Sequence, residues 1–187
     1  MDTKHADLTE RTISTRPVFS GRIISLQVDE VSLPNGGTAT REIVKHPGAV
    51  AVIAVTDGRL LVVEQYRKPL ERLQVEIPAG KLDGGEDPAD AAKRELQEET
   101  GYDCEKVTLL HSMATSPGFA DEVIHLYVAE GLKSGDASPD EDEFLNVFAY
   151  TPEEASQAIA DGRICDAKTL IAVYAWQRFL STGNWGV

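Results

Sequence analysis

Residues 80–102, GKLDGGEDPADAAKRELQEETGY, decide how the rest of the chain is read. Gly80, Gly84 and Gly85 give the first part the backbone freedom of a tight loop. Asp87 is a good N-cap, and Pro88 follows at the first helical position, where its missing N–H costs nothing. Ala89 to Thr100 are mostly good helix formers, and Gly101 is placed to end the helix in a left-handed cap. Residues three and four apart share a helix face, so Ala89, Ala92 and Leu96 form an apolar side, and Glu95, Glu98 and Glu99 gather on another. Like charges at this spacing destabilise a helix, and Glu86 adds a fourth acid from the loop. Spacing alone leaves two readings open. One is a solvated acidic face. The other is a set of hard oxygen ligands for Mg²⁺, Mn²⁺ or Ca²⁺, with waters and phosphate oxygens completing the shell.

The composition bounds the alternatives. At 187 residues, 42% apolar and 26% charged, the chain is expected to be an ordinary globular protein with room for a real core. No apolar run approaches the ~18 residues that span a bilayer, so no membrane partner is expected. The first residues, MDTKHAD, lack the apolar core of a signal peptide. Cys104 and Cys165 make neither a disulfide framework nor a metal pattern, and idle thiols suit a reducing cytoplasm. The net charge of −13 argues against a nucleic-acid surface. It is compatible with an anionic substrate where divalent ions and a few arginines bridge the negative charges.

Outward from residues 80–102, called the box below, residues 1–16 are polar and expected to fray. Residues 18–33 read as a strand, Pro34-Asn35-Gly36-Gly37 as a tight turn, and residues 41–44 as the return strand. This gives an N-terminal β-hairpin region, 1–46, ahead of a larger domain, 47–187, that carries residues 80–102. Residues 49–55 are continuously apolar, as in a strand buried on both faces. Further strands are expected at 60–66, 73–77, 107–114, 123–129 and 144–150, with 131–142 as a mobile loop rich in Gly, Ser, Pro and acids. Thr151-Pro152-Glu153-Glu154 is a capping box that opens a helix to about 161. Asp166 caps a last helix to about 180, with Leu170, Val173, Tyr174, Gln177 and Phe179 near its inner side. The sum is an α/β (α+β) fold, a mixed sheet between helices in an α/β/α sandwich. His46, His111 and His125 alternate with apolar residues and read as packed histidines, not zinc ligands.

The box resembles the signature of the Nudix hydrolases, Gly-x5-Glu-x7-Arg-Glu-U-x-Glu-Glu-x-Gly-U with U apolar. Gly80, Glu86, Arg94, Glu95, Leu96, Glu98, Glu99 and Gly101 fit its fixed positions, with Tyr102 as the loose last one. The resemblance implies a metal-dependent hydrolase of compounds carrying a nucleoside diphosphate. It assigns Glu95, Glu98 and Glu99, with the Ala79 carbonyl, to two or more metal ions, Mg²⁺ or else Mn²⁺. It gives Arg94 the role of orienting the box acids.

Pro117, sixteen residues after Gly101, together with Ser116 and Gly118 resembles the Ser-Pro-Gly loop of the ADP-ribose pyrophosphatase subfamily. A plain Pro-Gly turn is the bland alternative. The subfamily resemblance implies hydrolysis of ADP-ribose to AMP and ribose 5-phosphate. It places Arg41, Arg67, Glu76, Pro117 and Glu122 at the substrate. It also makes Glu141 the general base and Glu143 a further metal ligand, with the neighbouring acids of that run as alternatives. It implies a homodimer that exchanges its N-terminal regions. ADP-sugars, NADH and oxidised nucleoside diphosphates are alternative substrates. A non-catalytic nucleotide-sensing module is the reading from another class. The aromatic that stacks on adenine stays open among Phe19, Tyr66 and Phe119.

Overall fold

The computed structural model describes residues 7–138 and 143–186. They pack as two compact units, one drawn from Met1–Pro47 and Ala114–Glu122, the other from Gly48–Met113 and Val123–Val187.

The first unit is built on an antiparallel sheet of three strands, β1 (Arg11–Ser20), β2 (Ser25–Ser32) and β3 (Thr38–Lys45), in that order. The turn at 34–37 joins β2 to β3. Gly36 takes φ of 83°, and the Gly37 N–H donates to Asn35 Oδ1 at 2.9 Å. The single strand expected over 18–33 is two strands, broken where the Gly21 N–H donates to the Ile24 carbonyl at 2.9 Å. The fraying expected up to residue 16 gives way to β1 from Arg11 onward. Every residue of β1 is exposed, so no burial periodicity marked it, and it is held by backbone pairing to β2. Segment 114–122 docks on β3. The Val44 N–H donates to the Phe119 carbonyl at 2.8 Å, the Asp121 N–H to the Val44 carbonyl at 3.1 Å, and Lys45 pairs with Asp121.

The second unit contains β4 (Ala49–Thr56), β5 (Arg59–Arg67), β6 (Arg72–Glu76), β7 (Ala79–Lys81), α1 (Pro88–Thr100), β8 (Tyr102–Ala114), β9 (Val123–Ser134), β10 (Leu145–Tyr150), α2 (Pro152–Ala160) and α3 (Ala167–Thr182). Among the described residues the strand order is β10-β5-β4-β9-β8, with β6 on β5 and β7 on β4. β4 runs parallel to β9 and antiparallel to β5 and β7, so the sheet is mixed.

The apolar run of β4 explains the layering. Successive strand side chains point to opposite faces. Val50, Val52 and Ala54 pack with Ala91, Ala92 and Leu96 of α1. Ala51 and Ile53 belong to the other core, with Ala155 and Ala158 of α2 and Ala172, Val173 and Trp176 of α3. The sheet therefore lies between α1 and the α2–α3 pair, the expected α/β/α sandwich. The inner side of α3 differs from the expected one. Lys168, Thr169, Ala172, Val173 and Trp176 are buried, while Tyr174 is exposed. Apolar residues surround this helix on most sides, so sequence pattern could not fix its rotation. β8 starts at Tyr102 and β9 runs on to Ser134, because backbone pairing carries both strands past their apolar stretches.

Candidate active site

Box geometry follows from how α1 is started, stopped and rotated. Asp87 accepts the Ala89 N–H at 2.8 Å, Pro88 opens the helix, and Gly101 closes it at φ of 76° with its N–H on the Gln97 carbonyl at 2.9 Å. Ala91, Ala92 and Leu96 are buried against the sheet, which sets the helix rotation. That rotation drives Glu95 and Glu99 inward toward β7 and leaves Glu98 half-buried. Glu99 is 2% exposed, and its Oε2 accepts the Ala79 N–H at 3.0 Å. The Glu95 carboxyl lies against Gly80, where a Cβ would stand 1.9 to 2.2 Å from its atoms. Only glycine leaves that space open.

Arg94 gathers the remaining acids. Its Nε and Nη2 grip Glu86 in a two-bond fork, both at 2.9 Å. Its Nη1 donates to Glu95 at 2.8 Å and to Glu98 at 2.9 Å, and Nη2 reaches the Lys81 carbonyl at 3.3 Å. The fork holds the Glu86 carboxyl below the usual carboxylate range. Glu99 goes the other way. Burial first, then the charges of Glu95 and Glu143, push it up to about 8, against the Ala79 N–H and Lys168. Burial also raises Glu95, with Glu98 and Glu143 adding to it against Arg94.

Among the described residues, no three His, Cys, Asp or Glu side chains already converge as a metal cage. The residues present nevertheless fit a hard divalent cation. A buried carboxylate surrounded by acids holds its proton for want of positive charge, and the donors on offer are oxygens. Arg94 supplies the counter-charge to Glu86, Glu95 and Glu98, and Glu99 is beyond its hydrogen bonds among the described residues.

A second charged set lies beside the box. Glu76, at the end of β6, accepts Arg67 Nε and Nη2 in a fork, both at 2.7 Å, and also accepts from Lys168 Nζ. Burial works to raise the Glu76 carboxyl, but Arg67 and Lys168 outweigh it and hold it at about 2. Arg67 and Glu76, both read at the substrate from sequence, are thus paired with each other. Glu143 acts on both Glu95 and Glu99 through its charge. Glu141 lies outside the described residues.

The other sequence-predicted site residues belong to the first unit. Arg41 on β3 is gripped by Glu10 through Nε at 2.8 Å and through Nη2. Pro117 sits in a turn closed by the Phe119 N–H on the Ser116 carbonyl at 3.0 Å. Glu10, Arg41, Pro117, Gly118 and Phe119 are among the residues lining a cleft of about 370 Å³. Glu122 accepts from Thr115 Oγ1 at 2.5 Å and faces His46 Nδ1 at 3.6 Å.

With this geometry in place, comparison with known proteins decides the family. The model of the NUDIX domain matches residues 44–172, the span that holds the box and most of both cores. The chain belongs to the Nudix family. A second model, the nucleoside diphosphate sugar hydrolase N-terminal domain, matches residues 10–44. This Nudix protein is 62% identical over 167 residues to a methanol dehydrogenase activator of Bacillus methanolicus, covering 88% of this chain and 90% of that one. It is 52% identical to an ADP-ribose pyrophosphatase of Bacillus subtilis, covering 89% and 91%. It is 38% identical to an ADP-ribose pyrophosphatase of Mycobacterium tuberculosis, covering 88% and 81%. A crystal structure of an ADP compounds hydrolase shares the fold, with a TM-score of 0.82 at 20% identity over 94% of this chain and 96% of that one.

Sequence reasoning missed Lys168 of this Nudix protein. The signal was its register: it stands four residues before Ala172 and eight before Trp176, on the inner side of α3. A lysine on a buried stripe calls for an acid partner, but nothing in the pattern named Glu76.

Proposed function

We propose that this chain hydrolyses the diphosphate of ADP-ribose, releasing AMP and ribose 5-phosphate, with Mg²⁺ or Mn²⁺ as its cofactor. The observation that carries this reading is Glu99, buried, held by one backbone N–H and pushed up to about 8 by burial and its acidic neighbours. In support stand the relatives named ADP-ribose pyrophosphatase. Glu95, Glu98, Glu99, Glu143 and the Ala79 carbonyl would hold two or more ions. Once bound, such ions supply an activated water and neutralise diphosphate charge. Arg94 orients the box acids by gripping Glu86, Glu95 and Glu98. Arg67, anchored on Glu76, offers its remaining donors to phosphate oxygens. Arg41, Pro117 and Glu122 are the substrate contacts that the family resemblance implies, and Glu141 is the general base it implies. A cytoplasmic homodimer completes the reading. The two free thiols are in keeping with a reducing compartment.

A substrate panel tests it: ADP-ribose, ADP-sugars, NADH and oxidised nucleoside diphosphates, with Mg²⁺, Mn²⁺ or neither, ranked by kcat/KM. ADP-ribose should lead, and only with metal. Glu98→Gln and Glu99→Gln should each lower kcat by about 10²-fold or more, the scale of several kcal/mol of lost charge stabilisation, with the circular dichroism spectrum unchanged. A variant that keeps the wild-type rate removes its glutamate from the ligand set. No turnover on any member would favour a sensing module.

A second reading rests on the relative named methanol dehydrogenase activator, 62% identical to this chain. On it, the chain stimulates a methanol dehydrogenase. Adding the chain with Mg²⁺ to such an enzyme should raise its rate, and Glu99→Gln should not. An unchanged dehydrogenase rate rejects this reading.

A further inference from the structure

Two buried charges that the box does not use face each other from β6 and the first turn of α3. Lys168 is 9% exposed and Glu76 3%. Lys168 Nζ donates to Glu76 Oε2 and, at 3.0 Å, to Asp166 Oδ2. The same Glu76 Oε2 accepts Arg67 Nη2 at 2.7 Å, so two cations share one carboxylate oxygen. A long surface lysine keeps its ammonium in water. Lys168 does not: the first turn of α3 is pinned inward where Thr169 Oγ1 accepts the Ile77 N–H at 3.1 Å.

One cation would neutralise Glu76, and Arg67 already does so with a fork. A second one changes the geometry instead. It ties Glu76 to α3 as well as to β5, so the carboxylate cannot swing with the guanidinium. Arg67 then docks one edge on a fixed anchor. Among the described residues its Nη1 meets no protein acceptor, and its side chain stays 40% exposed. The set also lies within electrostatic reach of the box. The charge of Lys168 acts on Glu99, and that of Glu99 acts on Arg67.

We propose that Lys168 is a positioning residue for the substrate's diphosphate: it clamps Glu76, and through Glu76 holds Arg67 with its open edge toward the phosphate oxygens. This deepens the ADP-ribose reading and rests on it.

The test is a double-mutant cycle on the full chain with Mg²⁺ and ADP-ribose. Lys168→Met should raise KM about tenfold with kcat within about twofold of wild type, the signature of lost binding that is equal in ground and transition states. Arg67→Ala should raise KM at least as much. Lys168→Met on top of Arg67→Ala should then add nothing, because the two act as one unit. Lys168→Arg should recover most of the KM. A purely structural lysine would lower Tm and leave KM unchanged, or would add its full factor in the Arg67→Ala background; either result overturns the proposal. Should Lys168→Met not fold, Glu76→Gln takes its place in the cycle with the same expectation. If the wild type turns over no nucleoside diphosphate, the functional reading itself fails. The cycle is then read from pyrophosphate binding by calorimetry, where additive losses refute the role of Lys168.

Discussion

A carboxyl buried beside other acids keeps its proton, and Glu99 is that group here. Its folded value of about 8 stands above the ordinary 4.5 through burial first and then through Glu95 and Glu143. A raised value means that the folded chain binds the proton more tightly than the unfolded chain. The resulting stabilisation is complete below 4.5 and drains away as pH rises toward about 8. Glu76 has the opposite sign, but its contribution is already complete above 4.5 and is lost only as pH falls toward about 2. Without divalent ions, Tm should therefore fall across the interval from 4.5 to about 8. With Mg²⁺ the loss should shrink, and Mg²⁺ affinity should climb over the same interval as Glu99 gives up its proton. Thermal denaturation at several pH values, with and without Mg²⁺, checks both. A Tm without metal that is flat over that interval would contradict the burial argument. The four acids of this site were legible in the sequence because they lie within fourteen residues, Glu86 to Glu99. Their protonation was not, since it depends on what α1 packs against.

At the scale of elements, α1 was readable end to end because its signals are local: a cap, a proline at the first position and a glycine stop. β7 was not. It has three residues and exists because Ala79, Gly80 and Lys81 pair with Ala51, Val50 and Ala49. That pairing brings the backbone of Gly80 under Glu95, and it gives the box glycine a physical reason. In Gly80→Ala, the three atoms nearest the new Cβ are the far end of the Glu95 side chain, so the carboxyl moves and the strand stays. Stability should change by less than about 1 kcal/mol, which is ~2–4 °C in Tm for a chain of this size. Divalent-ion affinity and turnover should fall by about 10–100-fold, the usual scale for disturbing a ligand's support. Calorimetric Mg²⁺ titration alongside a melt separates the two; an unaltered Mg²⁺ affinity would mean that the position of Glu95 against Gly80 is immaterial.

For the molecule as a whole, the first unit ends in an exposed edge. β1 is the outer strand of its sheet and carries Ile13, Val18 and Phe19 facing solvent, with Ile23 and Ile24 exposed just beyond. Among the described residues no further strand pairs with β1, and an open edge with apolar side chains favours a partner. The expected outcome is a homodimer by sedimentation equilibrium at micromolar concentration, and a monomer once residues 1–20 are removed. A full-length chain that sediments as a monomer throughout that range excludes the dimer. By itself, the sequence determined the box, the α1 helix and the apolar β4 strand, because each is encoded over a short span by caps, spacing or an unbroken apolar run. Only the tertiary structure decided that Arg94 grips three acids, that Glu99 is buried, and that Lys168 meets Glu76 across 92 positions of sequence. Contacts of that kind are set by how the helices rotate against the sheet, and no local pattern records that rotation.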